Sequence, residues 1–140
     1  MAAFSFELVS PTRLVHSGEV EEVIVPGLEG EFGVFANHAP FVSALRPGIL
    51  TIKAAGGEKR LYVRDGFAEV NPKGLTVLAE VAVAVEEVTA GNMADEVADA
   101  ERALAEAKEG PARDKAVERV DQLKAVAAQM GAAGGGAGRH

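Results

Sequence analysis

Gly48-Ile49-Leu50-Thr51-Ile52-Lys53-Ala54-Ala55-Gly56-Gly57-Glu58-Lys59-Arg60-Leu61-Tyr62-Val63 decides the architecture of the larger part of this chain. Pro47-Gly48 forms a turn ahead of it, and two short β-branched and aromatic runs flank Gly56-Gly57, which tolerates the positive φ angles of a primed hairpin turn. Towards the N-terminus the same alternation of strands and turn signals continues. Phe4, Phe6 and Leu8 alternate with Ser5, Glu7 and Val9, which places one apolar face on a half-buried strand ended by Pro11. Glu19-Val20-Glu21-Glu22-Val23-Ile24-Val25 reads as the next strand, stopped by Pro26-Gly27. Towards the C-terminus, Asn71-Pro72-Lys73-Gly74 links Gly66-Phe67-Ala68-Glu69-Val70 to Leu75-Thr76-Val77-Leu78. About eight to ten short strands with regular turn signals predict an all-β sandwich or barrel.

The pattern stops near Val88. The first 88 residues hold five of the six prolines and 11 of the 26 alanines, whereas the last 52 hold one proline and 15 alanines. Met93, Val97, Ala100, Leu104 and Ala107 recur at steps of four and three, one narrow stripe on a helix that Asn92 caps, with Asp95 in its first turn. Gly110-Pro111 breaks this helix, and Ala116, Val120, Leu123, Ala127 and Met130 repeat the spacing on a second one. So short a connection predicts an antiparallel hairpin. Gly131 onwards is too rich in glycine for a helix. The domains are therefore a β-sandwich over 1–88, a helical hairpin over 89–130 and a disordered glycine-rich tail over 131–140.

Composition narrows the function. Fourteen Lys and Arg stand against 21 Asp and Glu, a net charge of −7. A nucleic-acid or anionic-lipid surface needs a basic patch to displace counterions, so neither partner is expected. The absence of cysteine removes disulfides, zinc-thiolate sites and thiol nucleophiles. Met1-Ala2-Ala3-Phe4 lacks a basic leader region and no apolar run approaches the ~20 residues of a membrane helix, so an unprocessed, soluble chain is expected.

Catalytic chemistry is hard to place. His16, His38 and His140 come without a nucleophile elbow, and His16 beside Ser17-Gly18 reads as a turn. No spacing of His, Asp and Glu suits a metal, and the adjacent pairs Glu21-Glu22 and Glu86-Glu87 point to opposite faces of a strand. Gly27-Leu28-Glu29-Gly30-Glu31-Phe32-Gly33 places acids where a phosphate would sit and lacks the lysine of a phosphate loop. An autonomous enzyme is not expected, and neither a metal nor an obligatory cofactor. The segment Glu29 to Phe41 gathers glycines, two acids, bulky aromatics and His38. It reads either as a binding rim or as a β-arch with Phe32, Val34 and Phe41 turned inward.

Gly30-Glu31-Phe32-Gly33-Val34-Phe35-Ala36-Asn37-His38-Ala39-Pro40 resembles the signature of the epsilon subunit of bacterial F-type ATP synthases, counterpart of the mitochondrial delta subunit. Ala36 replaces the usual proline. The resemblance extends through Phe6-Glu7-Leu8-Val9-Ser10-Pro11, Arg46-Pro47-Gly48, Gly66-Phe67-Ala68-Glu69-Val70, Thr76-Val77-Leu78-Ala79-Glu80 and the alanine-rich helix pair. It implies a β + α fold, an N-terminal ten-stranded β-sandwich followed by a C-terminal two-helix hairpin. It further implies a non-catalytic rotor-stalk subunit of a proton-translocating synthase, peripheral on the cytoplasmic side of a bacterial inner membrane. Its partners would be the gamma subunit, the ring of c subunits, and the alpha and beta subunits.

By the same resemblance, Glu31, Phe32, His38 and Pro40 fall at the contact with the ring and gamma. The hairpin regulates ATP hydrolysis in many relatives, which makes Arg113, Lys115, Arg119 and Lys124 candidates for an inhibitory contact. Some members bind ATP through an aspartate and arginine matched by Asp99 and Arg102, although Ala98 replaces a larger aliphatic residue. An ordinary i,i+3 ion pair of ~0.2–0.5 kcal/mol accounts for the same two residues. The competing expectation is a free-standing β-sandwich ligand-binding module with a helical dimerisation hairpin. Gel filtration separates the two, since the module is a dimer and the isolated stalk subunit a monomer.

Overall fold

A computed structural model describes residues 3–88 and 90–138, with the side chains of 90, 91 and 131–138 left aside. The chain divides between Val85 and Glu86 into two units, close to the change in composition near Val88. The first unit holds eight strands: β1 (Phe4–Ser10), β2 (Arg13–Val20), β3 (Glu22–Gly27), β4 (Gly30–Val34), β5 (Phe41–Ala44), β6 (Gly48–Ala54), β7 (Gly57–Asn71) and β8 (Gly74–Ala84). They pair in the order β2-β1-β8-β7-β6-β3-β4, with β5 added to β7.

The expected ten strands become eight because two of them are long. β7 runs 15 residues without a chain break, so the segments 59–63 and 66–70, read separately in the sequence, are one strand. Its first half pairs with β6, Gly48 opposite Val63 to Ala54 opposite Gly57, and its second half pairs with β5, Phe41 opposite Val70 to Ala44 opposite Phe67. β8 follows β7 in one register throughout, and its first half also lies parallel to β1. β7 and β8 therefore serve both layers of the sandwich, and each layer of five contains half of each. The passage between layers is at Asp65-Gly66. Asp65 has a left-handed φ of 61°, and a Cβ on Gly66 would stand 1.7 Å from the Leu78 carbonyl oxygen. Only glycine allows the two backbones to approach so closely.

The inward faces alternate as the sequence predicts. Phe4, Phe6 and Leu8 of β1 meet Val23 and Val25 of β3, Leu50 and Ile52 of β6, Leu61 and Val63 of β7, and Leu75 and Val77 of β8 in one apolar core. Among the described residues no polar or charged side chain is buried. One strand escaped the sequence reading: Arg13 to Val20 is β2, paired with β1 through the tight turn at Pro11-Thr12, and the predicted strand 19–25 is interrupted at Glu21. A register shift between Leu8 and Val9 accompanies that pairing and obscures the alternation. His16 consequently lies within a strand and not in a turn.

A short 3-10 turn (Val85–Glu87) spans the boundary, and the second unit contains two helices, α1 (Ala90–Glu106) and α2 (Pro111–Gly138). Gly110 and Pro111 separate them as predicted. The Gly110 carbonyl accepts from the amides of Arg113 and Asp114 at 3.0 and 3.1 Å, and proline at the first helical position loses no bond. Both predicted seams hold, because every one of their residues is buried or half-buried, and Val126 joins them. Two corrections apply. α1 starts at Ala90, so Asn92 sits in its first turn and is not the cap. The helical backbone of α2 also continues to Gly138, past Gly131, where the sequence predicts irregular chain. Each added residue extends the ladder by one bond, and Ala132, Ala133 and Ala137 offset a glycine cost of about 1 kcal/mol apiece. Residues 139 and 140 of that tail lie outside the described residues.

Candidate functional site

The first part of the segment Glu29 to Phe41, up to Val34, is built as a hairpin arm. β3 and β4 pair from Val23 opposite Val34 to Gly27 opposite Gly30, leaving Leu28-Glu29 as a two-residue loop. Beside it, β5 is held by the Leu28 amide, which donates to the Ala44 carbonyl at 2.8 Å, and by a bridge between Gly27 and Leu45. An open groove of about 520 Å³ lies between β4 and β5, lined by Leu28 to Phe32 and Phe41 to Ala44. Its floor includes Phe32, half-buried, edge-to-face with Phe41 at 5.3 Å between centroids and 82° between planes. This geometry is the favourable one for two rings.

The groove combines apolar surface with unpaired negative charge. Leu28, Phe41 and Val42 are 49%, 46% and 63% exposed, and Glu31 is exposed among them. No described cation pairs with Glu29 or Glu31. Both alternatives read from the sequence are thus realised in part: Val34 is buried in the core and Phe32 packs against it, while Glu31 and Phe41 form a rim.

His38 is not part of that groove. It sits in the loop after β4, where Asn37 takes a left-handed φ of 66°, and its Nδ1 lies 2.8 Å from the Ala39 carbonyl oxygen. It lines a separate narrow cleft with Phe4, Val34, Phe35, Asn37, Val70 and Asn71. Pro40 is exposed and belongs to neither lining. The fold therefore brings Glu31 and Phe32 together and sets His38 apart from them. The residues that sequence reading missed are Leu28, whose signal is its place just after the predicted Pro26-Gly27 turn, where an exposed large apolar side chain is unusual, and Val42, for which the sequence carries no local signal.

His16 also resolves into a structural role. Its ring packs on Phe6 at 5.4 Å, and desolvation by burial, with Lys59 adding like-charge repulsion, holds its pKa below 6.5.

In the helical unit Asp99 and Arg102 form an ion pair with each other, and both are about two-thirds exposed. Arg113 donates to the Leu104 carbonyl at 3.3 Å and Lys124 lies 3.2 Å from Glu101, so these two cations tie α2 to α1. Lys115 is exposed and Arg119 half-buried. Among the described residues no group of His, Cys, Asp and Glu could hold a metal, and no helix is long and apolar enough to cross a membrane.

Comparison with known proteins places this architecture. Residues 3–85 match the family described as ATP synthase, Delta/Epsilon chain, beta-sandwich domain. The chain is 52% identical over 130 residues to ATP synthase epsilon chain 1 of Nitrobacter hamburgensis, covering 93% of this chain and 96% of the relative. It is 51% identical, with the same coverage, to the ATP synthase epsilon chain of Nitrobacter winogradskyi. Among solved structures it resembles a chain of the Euglena gracilis mitochondrial ATP synthase (OSCP/F1/c-ring), with TM-score 0.70 and 27% identity over 89% of this chain and 81% of that one. A chain of the Tetrahymena thermophila mitochondrial ATP synthase central stalk and c-ring shares the fold at TM-score 0.65 and 13% identity, over 89% and 96% of the two chains. A sandwich of eight strands with two shared between its layers, followed by a helical hairpin and matched over nearly its whole length, belongs to the delta/epsilon family of ATP synthase subunits.

Proposed function

We infer that this chain is a non-catalytic central-stalk subunit of a proton-translocating F-type ATP synthase, joining the gamma subunit to the ring of c subunits. The observation that carries the assignment is the rim between β4 and β5, on a chain of this family: Leu28, Phe41 and Val42 exposed around Glu31. A coupling subunit needs surface that resists rotation, not a reacting group. Glu31, held by a strand, offers a carboxylate for charge-assisted hydrogen bonds to arginine or lysine on a partner's polar loop, and such bonds fix orientation. Phe32 and Phe41 give the apolar area that makes the contact persist. His38 and Pro40, on the loop that follows, extend the contact towards gamma. The subunit is peripheral to the membrane and sits on the cytoplasmic side of a bacterial plasma membrane.

The hairpin supplies regulation of ATP hydrolysis. Lys115 is an exposed cation for an acidic surface of the alpha or beta subunits, joined by Arg113, Arg119 and Lys124 once they release the partners they hold within the chain. ATP bound by Asp99 and Arg102 would likewise have to replace their mutual pair. Titration calorimetry with millimolar ATP tests that point, and a flat isotherm removes nucleotide from the function.

Pull-down of the tagged chain from membranes tests the main assignment. Recovery of alpha, beta and gamma is the expected result, and their absence refutes it. Glu31→Lys should weaken attachment to the ring and lower ATP-driven proton pumping; unchanged pumping would remove Glu31 from the contact.

A further inference from the structure

Edge strand β2 is held to the sandwich by few side chains. Most of its eight residues are exposed. On the core side it offers Val15, His16 and Val20, of which Val20 is buried and the other two half-buried. Val15 and His16 both reach inward because Leu8 stands opposite His16 and Val9 opposite Leu14, which leaves Val15 as an extra residue in the strand. A bulge of this kind re-aims side chains. Leu8 is fully buried, and a residue directly opposite shares its face, so His16 looks towards the core. Gly18, opposite Phe6, brings no side chain. The His16 ring covers Phe6 instead, at 5.4 Å between centroids and 37° between planes. Of the three anchors of β2, the middle one can take up a proton.

Across the gap between the layers stands a charge that opposes that proton. Lys59 is opposite Ile52, a core residue, so Lys59 belongs to the inward face of the β6-β7 hairpin, at its end, where it stays exposed. The other groups on the surrounding strands do not offset it. Phe6 and Leu8 of β1 and Leu50, Ile52 and Ala54 of β6 are apolar. Arg13, exposed at the turn end of β2, is another cation. Ser17 and Glu19 stand opposite the exposed Glu7 and Ser5, on the outer face. Glu58 and Arg60 flank Lys59 in the strand and so point to the other face, where Glu58 stands opposite Lys53 and Lys53 lies 3.6 Å from Glu22. Among the described residues no carboxylate pairs with His16. Desolvation by burial, and after it repulsion from Lys59, hold its pKa below 6.5, as suits a position shaped for the neutral ring.

We propose that His16 and Lys59 form a pH-operated clasp on the edge of the sandwich: the neutral imidazole locks β2 against Phe6, and a proton taken from solvent, facing the lysine cation across the gap, releases β2 while the rest of the β-unit stays folded. The far end of the strand limits the release, because Val20 is buried and the Glu21 amide donates to the Lys53 carbonyl at 2.8 Å. Acidification therefore loosens one edge of the β-unit and not its centre. The clasp lies wholly within that unit and stands whatever partners the chain has.

The test is native-state amide exchange of the full chain in low urea at pH 7.0 and 5.5, with each rate divided by that of an unstructured peptide at the same pH. The β2 amides that bond to β1 should exchange through a local opening that low urea hardly changes and that is severalfold more frequent at pH 5.5. The gain is at most about eightfold, the extra protonation of a free histidine of pKa about 6.5 over that interval. His16→Phe should remove the pH dependence of the opening. Lys59→Gln should raise the pKa of His16, read by NMR titration, and reduce the gain. Exchange of β2 only with global unfolding, at full urea dependence, overturns the clasp. So does a gain that persists in His16→Phe, or a His16 pKa unmoved by Lys59→Gln. Should His16→Phe fail to fold, Lys59→Gln carries the test with the histidine in place.

Discussion

The β-unit and the helical hairpin solve the same problem with very different means. In the sandwich, 18 residues form a continuous core that includes Phe6, Leu8, Leu50 and Leu61, and none of these four is more than 1% exposed. Among the described residues of the hairpin the buried side chains are Met93, Val120, Leu123 and Val126, with Val97, Leu104, Met130 and four alanines half-buried along the rest of the two seams. Each fully buried large aliphatic chain contributes roughly 1.5–3 kcal/mol, so the hairpin owes its order to a handful of side chains. It adds the two ties from Arg113 and Lys124, and exposed ties of this kind contribute little. Opening is easiest where contacts are fewest, so the hairpin is the unit that yields first. A stalk subunit with a firm base and a yielding arm can hold its partners while the arm changes its own.

The sharpest way to break this contrast is at Gly66. Valine there should destabilise the β-unit by about 4 kcal/mol or more, since its Cβ meets backbone and not a flexible side chain; urea unfolding that leaves the strand signal intact would show that the crossing between layers is more adaptable than its geometry. Next in size, Phe6→Ala should cost about 3–5 kcal/mol in the β-unit and Leu123→Ala about 2–3 kcal/mol in the hairpin. The first should lower amide protection throughout the strands, the second only in α1 and α2. A global loss from Leu123→Ala would show that the two units unfold together.

A smaller effect follows pH. The pKa of His16 is lowered in the folded state, so the unfolded chain binds a proton at higher pH than the folded one. The favourable state is the neutral ring, fully present above 6.5, and stability falls as pH drops from 6.5 towards the lowered folded value. Lys59 is the charged group whose repulsion reaches this ring, and it sharpens the effect. Melting of the β-unit at pH 7.5 and 5.5 should show a decrease that His16→Phe reduces. The smallest change is expected from Glu101→Ala or Lys124→Ala: both partners are about half exposed, and loss of the pair should shift hairpin stability by no more than about 0.5 kcal/mol.

Much of this contrast was legible in the residues. Alternation at Phe4, Phe6 and Leu8 and the heptad-like steps from Met93 to Met130 report directly which side chains are buried, because burial imposes the periods of strand and helix. The strand from Arg13 to Val20 was illegible, because its edge position leaves most of it exposed and the irregularity near Val9 disrupts alternation. The unity of β7 was also hidden, since Asp65-Gly66 looks like a turn and proves to be a passage between layers. At the site, Glu31 and His38 were visible as chemistry in a short segment. Their separation into two different clefts was not, because it depends on where β5 returns. His16 and Lys59 are far apart in sequence, and only strand register turns both towards one gap.

The passage of β7 and β8 through both layers has a mechanical consequence. In an ordinary sandwich the two sheets are joined by side-chain packing and by loops, and a twisting force shears them along the weak plane between them. Here two adjacent, hydrogen-bonded strands cross that plane as unbroken backbone, with β7 alone spanning 15 residues. Torque entering at one sheet reaches the other through covalent bonds and a continuous ladder, so the body turns as a stiff key and not as two sliding plates.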